Sequence, residues 1–205
     1  MSRIIFLIAL LFLAACTKGQ GMSLMPYQDK NAGPQDFALC HGFSCSYETR
    51  TGIAEKEWKK ILRGFSPPAK NAAAERLKIA EAVRKIEAYV NKHSGLNPDK
   101  GKAVRFEKDE DQMDCVDETI NTSQYLAFLD REGVFKFHVA ADPVHRGYFV
   151  DGMWPHNSAA VRETESGAVF VIDSYYYDSG SKIAVVPLDE WLADWHPEDV
   201  PRDYP

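Results

Sequence analysis

The chain has no block of basic residues, no internal repeat and only four cysteines in 205 residues. Lys and Arg number 24 against 30 Asp and Glu, and the cations are scattered. No phosphate-binding surface is laid out, and nucleic acid is not an expected partner. No two histidines stand at i, i+4, and the acidic stretch Glu107, Asp109, Glu110, Asp111 lacks the glycine-turn spacing of an EF-hand loop. The set His138, Asp142, His145 and His156 comes nearest to a ligand pattern, and neither a metal nor a cofactor is expected. With 45% hydrophobic and 26% charged residues, the chain is not of the disordered class and suffices for one core in one domain.

Long apolar runs are missing except at the start. Met1-Ser-Arg3 is a short basic lead, Ile4 to Leu13 is apolar, and Ala14-Ala15 are small residues before Cys16. A run this short reads as the core of a signal peptide and not as a membrane span. Leu13-Ala14-Ala15-Cys16 resembles the lipobox of bacterial lipoproteins. That resemblance implies cleavage before Cys16, lipid on its sulfur, a signal peptide over 1–15 and a tether over 16–36. Thr17, standing where Asp is absent, implies the outer membrane of a bacterial cell envelope, facing the periplasm. The membrane is then a partner through acyl chains, each buried methylene contributing roughly 0.8 kcal/mol.

Three thiols remain after Cys16. Cys40-His-Gly-Phe-Ser-Cys45 closes a short loop around a glycine and is expected to form a disulfide. The alternatives are two unpaired buried thiols, or a zinc site with His41 that lacks a recognisable fourth ligand. Cys115 is the odd thiol, and its charged and polar neighbours favour a reactive role over a buried one.

Trp58, Ile61, Leu62 and Phe65 keep helical spacing until Ser66-Pro67-Pro68 stops them. Asn71 opens the longest helical pattern, carried by Leu77, Ile79, Val83, Ile86 and Val90 and ended near His93-Ser-Gly95. Gln112 to Leu129 is a third helix. Beyond Gly133, the runs Phe135 to Ala141, Gly147 to Gly152, Asn157 to Thr164, Ala168 to Asp173 and Lys182 to Val186 are separated by turn signals. A short helix from Pro187 to Trp195 follows. Helices followed by a mostly antiparallel sheet define an α+β domain over 37–205, with a helical part at 37–98 and a catalytic core at 112–195.

Cys115 falls in the first turn of the third helix, where orphan N–H groups and the positive dipole end favour a thiolate. Asp114, Asp117 and Glu118 crowd the same turn and oppose that charge, although Asp114 suits the N-cap and the other two complement the dipole. The helix alone is therefore an insufficient activator. His156 follows Trp154-Pro155 and opens a strand, so it is the candidate imidazolium. Asp173 ends Val169-Phe-Val-Ile172, and a carboxylate at a buried strand end needs a partner such as an imidazole N–H. The Cys115 backbone N–H and the Gln112 side chain are the candidate oxyanion donors.

Asp114-Cys115-Val-Asp117-Glu118, His156-Asn-Ser-Ala-Ala-Val161 and Val169-Phe-Val-Ile-Asp173 together resemble the transglutaminase-like branch of papain-like cysteine enzymes, near the bacterial transglutaminase-like cysteine proteinases. The likeness covers Gln112 to Tyr177. Met113 stands where the family usually has glycine, and Ser158 and Ala159 stand where an aromatic is common. The resemblance implies a papain/transglutaminase-like core and a Cys115, His156, Asp173 triad. It also implies hydrolysis or acyl transfer on amide bonds of a peptide or protein substrate. The other expectation is a non-catalytic envelope lipoprotein that uses the same fold to bind a partner peptide, with Cys115 buried and unreactive.

Overall fold

The computed structural model describes residues 31–103, 109–148 and 150–202. The expected leader, Cys16, the tether up to residue 30 and Glu107 lie outside the described residues. No helix among the described residues is long and apolar enough to cross a membrane.

Strands and not helices come first. β1 (Phe37–His41) and β2 (Tyr47–Thr51) pair antiparallel, from Phe37 opposite Thr51 to His41 opposite Tyr47. Between them Gly42, Phe43, Ser44 and Cys45 all take left-handed backbone, with φ of 74°, 69°, 58° and 54°. Left-handed helical backbone disfavours a side-chain-bearing residue by roughly 1–2 kcal/mol, so this turn needs external support. The Cys40–Cys45 disulfide closes it from below. The hairpin escapes an expectation drawn from alternation because β1 is buried at nearly every position while β2 is mostly exposed.

α1 (Glu55–Leu62) continues as a 3-10 turn, Arg63–Phe65, and buries Trp58, Ile61 and Phe65. α2 (Ala72–His93) starts where Asn71 Oδ1 accepts the Ala74 N–H at 2.8 Å, and Ile79, Val83, Ile86 and Val90 form its buried stripe. α3 (Cys115–Arg131) is different in kind. It buries Ile120, Tyr125, Leu126, Phe128 and Leu129, and also Thr119, Asn121 and Thr122. Buried polar side chains need partners, and two of these join α3 to its neighbours. Asn121 accepts from Cys40 N (2.9 Å) and donates to Cys40 O (2.8 Å), while Thr122 pairs with Ser174 at 3.0 Å. The third, Thr119 Oγ1, donates to Cys115 O at 2.6 Å within the helix.

Four strands make the second sheet, in order β3 (His138–Arg146), β4 (His156–Glu163), β5 (Val169–Asp173) and β6 (Ala184–Pro187), all antiparallel. Period-2 alternation sends Ala159, Val161 and Ile172 into the core shared with the helices. It sends Ala160, Val171, Ala184 and Val186 to the other face, where Trp191 of α4 (Leu188–Leu192) covers them. The architecture is α+β with antiparallel sheets.

Two strand boundaries depart from expectation. β3 runs on through Asp142-Pro143 to Arg146, with a register shift between Ala141 and Val144. An edge strand tolerates a proline that donates no ladder bond, and a bulge absorbs the extra residue. The described residues between Gly147 and Gly152 form no strand; Val150 and Asp151 lie in a turn.

Candidate active site

α3 is fixed at its start by a reciprocal cap. Asp114 Oδ1 accepts from Val116 N (2.9 Å) and Asp117 N (3.1 Å), and Asp117 Oδ2 accepts from Asp114 N at 3.0 Å. The left-handed turn of the hairpin then adds its own N–H groups. Phe43 N and Cys45 N donate to Asp117 at 2.9 and 2.6 Å, and Ser44 N donates to Asp114 at 3.1 Å. Asp114 and Asp117, two of the three carboxylates that crowd Cys115 in the sequence, thus face donors. Burial, followed by the nearby Asp114 charge, still raises the Asp117 carboxyl to about 7 against the pull of those N–H groups.

Cys115 is the free thiol of the described residues and is partly exposed. His156 begins β4 and Asp173 ends β5; antiparallel pairing puts these two strand termini at the same end of the sheet, and α3 packs across β4. His156 Nε2 and Asp173 Oδ2 are 2.9 Å apart, both side chains buried. A carboxylate accepts, so Nε2 carries the proton and Nδ1 is the nitrogen left for the thiol. Burial alone would lower the imidazole, but the Asp173 charge and hydrogen bond, reinforced by hydrogen bonding and charge from Cys115, raise it to about 9. Burial likewise opposes the Asp173 charge, yet His156, Trp191 and Arg146 hold its carboxyl below the ordinary value.

The structure therefore brings Cys115, His156 and Asp173 together. Gln112 is the correction. Its Oε1 accepts from Lys100 N (2.9 Å) and its Nε2 donates to Pro98 O (3.2 Å), so the amide ties down the 98–100 segment. A glutamine three residues before Cys115 precedes the helix, where its side chain is captured by the incoming loop. The histidines of the loose metal set are apart in role: His138 binds Glu75 (2.9 Å) and Arg76 (3.3 Å), His145 binds Asn157 and Gly147 O, and His156 binds Asp173. Cys40 and Cys45 are joined to each other, which leaves no thiol ligand for a zinc with His41. His41 instead donates from Nδ1 to Glu110 O at 2.8 Å.

Several site residues carried no signal of their own in the sequence. Trp191 donates from Nε1 to Asp173 Oδ2 at 2.9 Å, although its stretch reads only as a short closing helix. Arg146, buried opposite His156 across β3 and β4, donates to the Trp191 carbonyl and to Tyr176 Oη (2.6 Å) and lies over the Trp191 ring. Its charge at the end of a half-buried strand is the available clue. Tyr175, Tyr176 and Trp191 surround the imidazole with centroids at 5.0, 5.4 and 5.4 Å. This aromatic box keeps water from the His156–Asp173 pair and so strengthens it. Beneath the first turn of α3, Glu118 is buried and hydrogen-bonded to Ser174 and Asp99, and Asp99 Oδ1 accepts Met113 N at 2.6 Å.

Comparison with protein-family models, with curated proteins and with solved structures finds no match to this chain.

Proposed function

We propose that this protein is a cysteine hydrolase or acyl transferase acting on amide bonds of peptides or proteins, built on a papain/transglutaminase-like core. The observation that carries the reading is the buried His156–Asp173 pair at 2.9 Å, with Cys115 among the groups that raise the imidazole and so favour its charged form. In this reading the Cys115 proton already rests on His156 Nδ1, and the thiolate of that ion pair attacks the amide carbonyl carbon. The tetrahedral intermediate collapses as His156 returns the proton to the leaving amine, and a thioester remains on Cys115. Water or a second amine then attacks the thioester carbonyl, giving its proton to His156, and the sulfur departs as thiolate. Asp173 holds the imidazolium throughout and stays ionised.

The cap also supports a place for the oxyanion. Of the first N–H groups of α3, those of Val116 and Asp117 bond Asp114 Oδ1 and that of Glu118 bonds Asp114 O. The Cys115 N–H is the one left for a developing oxyanion.

Iodoacetamide alkylation of Cys115, followed by intact mass, tests the pair: rapid labelling in the wild type, with loss in His156→Ala, is expected. Equal labelling of both proteins, or a Cys115 that does not label, sinks the ion pair and leaves a peptide-binding envelope lipoprotein. The lipid anchor at Cys16 is a separate part of the same proposal. It predicts palmitate incorporation that disappears in Cys16→Ala.

A further inference from the structure

The described residues expose five large hydrophobic side chains, and three of them, Tyr148, Val150 and Trp154, belong to the single loop that delivers His156. Val150 is 94% exposed, the highest of the set, and Tyr148 is 56% exposed. Leaving such groups in water forfeits burial energy, so a concentration of them beside a reactive centre calls for something to cover them.

The loop is not loose chain. At its neck Gly147 has φ of 73°, and a Cβ there would stand 2.3 Å from the Trp154 carbonyl oxygen, so only glycine lets the two ends close. Inside the excursion Asp151 Oδ1 accepts from Tyr148 N (3.0 Å) and Met153 N (3.1 Å). The Tyr148 ring meets His145 edge-on at 4.8 Å. Pro155 alone separates Trp154 from His156. An apolar lip is thus fixed to the residue that must reach the scissile bond.

We infer that Tyr148, Val150 and Trp154 form a specificity lip, receiving an aromatic or branched aliphatic side chain of the peptide substrate next to the scissile carbonyl. The inference rests on the function proposed above. A lipid surface is the competing occupant, and the charges disfavour it: the stretch from Gly147 to Pro155 has Asp151 as its one charge and no Lys or Arg to meet anionic headgroups. Continuity with the Cys115–His156 site favours the substrate itself.

The test uses the full chain and tripeptidyl acyloxymethyl ketones that differ only in the residue beside the ketone: Phe, Leu, Lys or Asp. The Cys115 thiolate attacks the methylene carbon, the S–C bond forms, and the carboxylate leaves with the C–O electron pair. Rates are divided by the iodoacetamide rate of the same protein. Phe and Leu probes are expected to react about tenfold or more faster than Lys and Asp probes, the scale of one apolar pocket contact. That ratio should fall toward one in Val150→Asp and Trp154→Ala, and should persist in Leu77→Asp, an exposed apolar position on α2. A flat ratio in the wild type, or one that survives Val150→Asp, overturns the lip. A flat ratio together with phosphatidylglycerol vesicle binding that Val150→Asp abolishes assigns the loop to lipid instead. Failure of iodoacetamide and of every probe to modify Cys115 removes the enzyme and the lip together, a result distinct from flat but rapid labelling.

Discussion

Trp191 Nε1 and His156 Nε2 donate to the same oxygen, Asp173 Oδ2, each at 2.9 Å. Two donors on one oxygen fix the carboxylate in the plane that the imidazole needs, and the indole is itself fully buried. Trp191→Phe keeps the aromatic bulk and removes the N–H. A hydrogen bond to a charged acceptor contributes roughly 1.5–3 kcal/mol, so inactivation by a peptidyl acyloxymethyl ketone should slow by about tenfold or more. An unchanged rate would show that packing by the ring is all that Trp191 supplies.

The pH dependence of the pair has a definite sign. An imidazole raised to about 9 contributes stability that is fully present below its unfolded value near 6.5 and is lost as pH rises through about 9. In Asp173→Asn the burial of His156 is no longer opposed by a carboxylate, so its titration should drop to or below the ordinary histidine range. NMR titration of the His156 ring reads this directly. Breaking a buried pair also lowers stability by roughly 3–5 kcal/mol, visible at neutral pH as an earlier urea midpoint. A ring that still titrates near 9 in the variant would remove Asp173 as the cause.

Much of this arrangement was legible residue by residue. Asp114 reads as a helix cap because a short acceptor side chain before an apolar period has one favourable use, and it caps as expected; Asn71, read only as the opening of a helical pattern, caps α2 as well. Cys40 and Cys45 read as a pair because a sequence separation of 5 around a glycine allows their sulfurs to meet. The order Cys115, His156, Asp173 was visible because each residue sits at the end of a periodic element. Trp191 and Gln112 were opaque for the opposite reason: their roles depend on which loop or strand end comes alongside, and periodicity does not specify that. The hairpin was hidden because its four-residue left-handed turn is dictated by carboxylates some seventy positions away.

Those carboxylates make the hairpin part of the support of Cys115. In a Cys40→Ala, Cys45→Ala double variant the left-handed turn loses its closure, and the N–H groups of residues 43–45 no longer meet Asp114 and Asp117 together. Loss of a native disulfide lowers stability by about 2–4 kcal/mol, so an earlier thermal midpoint is expected. The more specific outcome is faster amide hydrogen exchange across residues 114–118, with slower alkylation of Cys115. Fast exchange confined to residues 41–46, with Cys115 reactivity intact, would show that Asp114 and Asp117 hold the helix start without the turn.

Buried acids below α3 carry the last prediction. Burial, and then the Glu118 charge, raises the Asp99 carboxyl to about 9; burial also raises Glu118 and, strongly, Glu87. Glu87 Oε1 and Glu118 Oε1 have no hydrogen-bond partner among the described residues, so a charge there is poorly compensated for its burial. An unfolded Asp releases its proton near pH 4, so between about 4 and about 9 the folded chain binds more protons at Asp99 than the unfolded one. Stability therefore falls as pH rises across that window. Asp99→Asn keeps an oxygen able to accept the Met113 N–H and removes the titrating group. Its urea midpoint should decline less between pH 5 and pH 9 than that of the wild type, a window set by the Asp99 value. Equal declines would mean that Asp99 is ionised in the folded chain, so that the charge beneath the first turn of α3 is compensated by a group other than its own proton.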